Sequence, residues 1–155
     1  MGQKKSTIVP CECNDKLDIE QFKKNLILSH DDIVHIFDNM SCGIIITDTQ
    51  LNVLYTNDKA CDIFGYDKTD FFQETFSIKQ LMNSCDSKNH DKYVQRYLYT
   101  KEKHILNKCG RIIECVHSSG RRFHASLMIF HRSNHFIAIF TDLTLQKQLS
   151  NVSLE

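Results

Sequence analysis

The chain has 155 residues, 41% of them apolar and 25% charged, which suits one domain of ordinary size with a real core and argues against a disordered or fibrous segment. Nineteen basic and nineteen acidic side chains cancel, so no global field favours nucleic acid or another polyanion. Seven cysteines, an odd number irregularly spaced with no apolar signal segment ahead of them, fit a reducing cytosol, and no apolar run approaches the roughly 18–20 residues that cross a bilayer.

Residues 1–16 are polar, hold the only proline, Pro10, and show no period, so they read as a flexible tail. Their first six, MGQKKS, fit the pattern for myristoylation of Gly2, with Lys4 and Lys5 able to meet anionic lipid. One acyl chain anchors only marginally, and palmitoylation of Cys11 or Cys13 would supply the second signal; a chance match in a polar tail is the competing reading. Cys11 and Cys13 are also close enough for a metal pair, but no second pair with zinc-finger spacing answers them. Over residues 17–40 the apolar positions Ile19, Phe22, Leu26, Ile27, Ile33, Ile36 and Phe37 fall mostly at helical spacing, with a break and new N-cap over 29–32.

GIIITD (43–48) and NVLYTN (52–57), joined by TQ, read as a β-hairpin. In DKACDIFGY, Ala60, Cys61 and Phe64 share a helical face that Gly65 ends; Cys61 and Cys85 read as small buried hydrophobes. Short helical pieces follow through SIKQLM, then a longer helix over about 86–101. RIIECVH, RRFHASLMIF and HFIAIFTDL, separated by SSG and RSN, predict three more antiparallel strands. The order implies an α+β fold with a five-stranded sheet, and a division into a tail (1–16), a helical segment (17–40), the main domain (41–148) and a short tail (149–155).

The longer helix carries the segment NHDKYVQRYLYTKEKH. His90, Val94, Tyr97 and Lys101 follow i, i+4, i+7, i+11 and share a face that Tyr93 and Leu98 broaden. His90 is either a ligand pointing into a pocket or a residue that caps or packs the helix. His117, His124, His131 and His135 fall at turns or in strands and read as surface or sheet-face residues. No Gly-rich phosphate loop, H-E-x-x-H, G-x-S-x-G or kinase signature is present, and no nucleophile stands beside a base, so no catalysis is expected.

In order, the helix into GIIITDTQLNVLYTN, the ACDIFGY segment, the HDKYVQRY helix, the SSGRRFHASL hairpin and the closing IFTDLTLQKQL resemble a PAS domain over residues 35–148. The resemblance implies an antiparallel sheet in spatial order 2-1-5-4-3 with helices over one face enclosing a small pocket. The central helix is most similar to the haem-PAS oxygen sensors of FixL-type histidine kinases: Leu81 and Met82 precede His90, and Asp91, Tyr93, Arg96 and Tyr97 complete the motif, with His104 and Ile105 beyond. By that resemblance His90 is the axial ligand of haem b, Arg96 and His104 lie near the propionates, Arg111 is a distal arginine, and Leu127 and Ile129 are apolar distal residues. Asn83 and His124 stand where those sensors have proline, and LNKCGR needs one extra residue to align Arg111. Nothing resembles the NCRFLQ-like block of flavin light sensors, so flavin is not expected.

After the D-x-T motif at Asp142 and Thr144 only eleven residues follow, so no output domain is expected within the chain. The first functional reading is a stand-alone PAS sensory or interaction module working through a protein partner, or as a homodimer, by its sheet face and N-terminal helix. The alternatives are a haem-based gas or redox sensor using His90, and a membrane-tethered adaptor carrying acylated Gly2, cytoplasmic and peripheral on the membrane.

Overall fold

The computed structural model describes residues 27–101 and 110–144, so Gly2, Cys11, Cys13, His104 and the expected helix before Ile27 lie outside the described residues. Two compact units divide the chain, residues 1–33 and 34–155. Within the first, Ser29 Oγ accepts a hydrogen bond from the Asp32 N–H at 3.1 Å while the Asp32 carboxylate accepts from the Ser29 N–H at 2.9 Å. This reciprocal pair satisfies donors that a helix start leaves open, and it begins helix α1 (His30–Asp38) at the break read from the sequence.

The second unit is built on a five-stranded antiparallel sheet: β1 (Gly43–Thr47), β2 (Val53–Thr56), β3 (Arg111–Val116), β4 (Arg122–Arg132) and β5 (His135–Asp142), in spatial order 2-1-5-4-3. The β-branched run of β1 suits a pleated, buried central position between β2 and β5. Asp48 shapes the β1–β2 turn, its carboxylate accepting from the backbone N–H groups of Gln50 and Asn52, both at 2.9 Å. Between β2 and β3 lie helix α2 (Asp58–Phe64), single 3-10 turns at Asp70–Phe72 and Ile78–Leu81, and helix α3 (Ser84–Thr100). Among the described residues no helix is long and apolar enough to cross a membrane.

Asn57 is fully buried and uses all four hydrogen-bonding positions of its amide. Its Oδ1 accepts from the N–H groups of Ile44 at 2.8 Å and Ala60 at 3.0 Å, and its Nδ2 donates to the carbonyls of Phe37 at 2.8 Å and Cys42 at 3.0 Å. One side chain thus joins the end of α1, the start of β1 and the N-terminus of α2. At the other end of α2, Gly65 takes a left-handed φ of 73°, and a Cβ there would fall 2.1 Å from His117 Nε2, so only glycine fits.

The core centres on Phe64, whose ring meets Phe140 edge-on at 5.0 Å and Phe123 at 5.7 Å. Two sequence expectations are corrected here. The buried face of α2 is Ala60, Ile63 and Phe64, with Cys61 on its flank and half-buried. Cys85 is exposed, because the first turn of α3 directs it to solvent. The buried thiol is Cys115, pushed up to about 12 by burial and secondarily by Asp142, Asp86 and Glu114.

Candidate functional site

Strand alternation decides which residues face the helices. From β4, Phe123, Ala125, Leu127 and Ile129 point inward; their ladder partners Cys115, Ile113 and Arg111 on β3 and Phe140 and Ala138 on β5 share that face. Toward Phe123 and Cys115 this face is sealed by α2 and the 3-10 turns. Toward Leu127 and Ile129 it is spanned by α3, and there the packing changes.

Asn83 starts α3 by accepting from the N–H groups of Cys85 and Asp86, and Asp86 adds negative charge to the first turn. The asparagine that replaces the resembled proline is therefore a working N-cap, and it moves the helix start to Ser84, two residues ahead of the expected position. Lys79 pairs with Asp91, tying the preceding 3-10 turn to the helix. Yet none of the 17 residues of α3 is buried. Much of its inward side meets a cavity of about 480 Å³, and Tyr97 reaches the sheet beside it. That volume lies in the usual range of small-molecule sites, roughly 300–1,000 Å³.

The cavity wall is mainly apolar, with Ile45, Leu127, Ile129, Ala138 and Phe140 from the strands and Tyr93, Val94 and Tyr97 from α3. His90 lines it too, in agreement with the helical spacing, and its Nδ1 is buried with no hydrogen-bond partner among the described residues. Burial holds the His90 imidazole below its ordinary pKa, with Lys79 acting the same way and Asp91 and Asp86 opposing. A neutral ring results, the form that ligates a metal. The Thr47 hydroxyl on another wall is likewise buried and unpartnered.

Arg96 and Arg111 also line the cavity, and both are exposed to solvent. Five of the residues named from the sequence, His90, Arg96, Arg111, Leu127 and Ile129, are thus brought to one cavity, while His104 lies outside the described residues. Among the described residues no cluster of three or more His, Cys, Asp and Glu side chains could hold a bare metal ion, so protein ligands alone would not complete a site at His90.

Sequence reasoning missed His131. The β4–β5 turn is only two residues, Ser133 and Asn134, with left-handed φ of 48° and 63°, so β4 runs on to Arg132. The inward row then reaches His131, opposite Phe136. His131 Nδ1 lies 3.0 Å from Tyr97 Oη, its ring packs on Phe136 at 4.7 Å, and its Nε2 is buried without a partner.

Several solved structures share this architecture. A domain of a sensory box histidine kinase/response regulator from Geobacter sulfurreducens superposes with a TM-score of 0.58 at 17% identity, covering 72% of this chain and 92% of that one. The PAS domain of the fruit-fly ELK potassium channel gives 0.54 at 19% identity, over 76% and 99% of the two chains. A PAS domain from Colwellia psychrerythraea gives 0.56 at 17% identity, over 74% and 97%. No curated protein matches the chain. The sequence profile described as the PAS fold matches residues 31–143, most of the chain and the whole of the sheet described above, and the protein belongs to the PAS family.

Proposed function

We propose that this PAS module is a sensor whose cavity holds haem b, with His90 as the axial ligand, and that it signals through a protein partner. One observation carries the reading: a 17-residue helix with no fully buried residue spans an apolar cavity, and in that helix's wall sits a neutral imidazole whose buried Nδ1 has no partner among the described residues. A histidine used only for packing normally finds a hydrogen-bond partner when buried, and His90 Nδ1 has none among the described residues.

The surrounding residues fit the group. Leu127 and Ile129 supply an apolar wall that would keep water from an iron, and Arg96 and Arg111, lining the cavity where they reach solvent, would hold the two propionate carboxylates. His104, matched by resemblance to a residue near the propionates, belongs to the same proposal. When bound, haem b supplies an iron centre that takes a diatomic gas or changes oxidation state. The protein's part is to hold the proximal imidazole neutral, exclude water and fix the carboxylates.

PAS domains are in general sensory modules rather than enzymes, and the reading assigns this chain no catalytic step. The outward row of the sheet supports the partner: Ile112 is 63% exposed, and Met128, Phe130, Ile137 and Ile139 beside it are only partly covered. The ligand proposal is tested by adding hemin to the purified protein and recording its absorption. A Soret band distinct from free hemin and altered by His90→Ala supports it; no band, or one indifferent to that substitution, rejects it.

A further inference from the structure

Tyr97 lines the ligand cavity near the C-terminal end of α3 and reaches His131 on β4, with Oη to Nδ1 at 3.0 Å and the two rings edge-on at 5.3 Å. On its other side the His131 ring packs against Phe136, which also lines the cavity. Because no residue of α3 is fully buried, tethers such as this one and the Lys79–Asp91 pair help to hold it in place. We propose that the Tyr97–His131 hydrogen bond is a proton-sensitive latch, holding the C-terminal half of α3 over the cavity while the imidazole is neutral and releasing it on protonation.

The chemistry follows from the second ring nitrogen. His131 Nε2 is buried and has no partner among the described residues, so protonation places a charged N–H where none of them accepts it. The groups that face the ring offer no relief. From α3 come Tyr97 and, just beyond its end, Lys101, whose Nζ lies 5.7 Å from the centre of the Tyr97 ring. From β5 come Phe136 and, at its first position, His135; on the histidine's own strand stands Arg132. Among the described residues that face the ring, none is a carboxylate. Burial keeps His131 below its ordinary pKa, and the charges of Lys101 and His135 act in the same direction. An imidazolium is therefore expelled toward water, and expulsion separates it from Tyr97.

What the latch regulates rests on the proposed ligand site, but the latch is measured on the full chain without ligand. Amide hydrogen exchange, corrected for intrinsic rates, is followed in α3 from Tyr93 onward and in β1 as a control at about pH 7.5 and about pH 5.5. The wild type should lose about fivefold more protection in α3 than in β1 at the lower pH. His131→Gln, which keeps a hydrogen-bonding group but does not titrate, should abolish that excess loss. Tyr97→Phe should show the acid-level protection already at the higher pH. An unchanged pH response in His131→Gln, or wild-type protection in Tyr97→Phe, overturns the latch. Failure of hemin to bind overturns only the ligand reading and leaves these exchange results standing.

Discussion

Asn57 and His90 are opposite uses of a polar side chain inside the domain. Asn57 is satisfied at every position; its bond to the Ala60 N–H is a local N-cap, but its partners at 37, 42 and 44 come from segments that no local pattern brings together. Its role in tying these three segments together was accordingly illegible in sequence, where it reads as the polar end of a strand and the start of a helix. Asn57→Ala leaves buried backbone groups unpaired and should lower stability by about 3 kcal/mol, read as a reduced urea midpoint. His90 has an unsatisfied nitrogen, and its orientation was legible because helical spacing alone sets it beside Val94 and Tyr97. Its folded pKa is depressed below 6.5, so the unfolded chain binds the proton more readily. Stability is then full above that value and lost as pH falls below it. His90→Gln should flatten this acid-side decline, and urea midpoints across that range would register the difference; a decline of wild-type steepness would show that His90 does not contribute.

At the scale of elements, α3 and β4 set the site between them. Leu127 and Ile129 were legible through the family resemblance alone, since the run SLMIF is apolar on both faces, and the pleat of β4 sets them on the inward side. His131 was not, since its side depends on the strand passing through it to a two-residue turn, and the sequence RSN reads equally as a longer loop. The cavity itself was implied only by family resemblance. Its size follows from how far α3 stands off the sheet, a distance that spacing along either element does not encode. Asn83→Ala removes the helix cap and should cost about 1 kcal/mol in thermal or urea unfolding. Ala138→Leu, aimed into the cavity, should raise the stability of the ligand-free protein by about 1 kcal/mol while weakening hemin binding, measured by absorbance titration.

For the whole molecule, the period-2 runs and turn signals made the five strands legible, and the PAS resemblance supplied their order, 2-1-5-4-3. The sheet separates two faces with different tasks: the inner carries the core and the cavity, the outer an apolar row including Ile112 and Ile139. If that outer row meets a partner or a second copy, Ile139→Lys should abolish the association seen by light scattering without changing hemin binding. The proposal joining both faces turns on whether His90 ligates iron. The most direct measurement is the absorption spectrum of hemin-loaded His90→Gly with and without free imidazole. The spectrum should depart from wild type in the variant and return when imidazole fills the space left by the side chain; a wild-type spectrum in His90→Gly without imidazole would contradict ligation by His90.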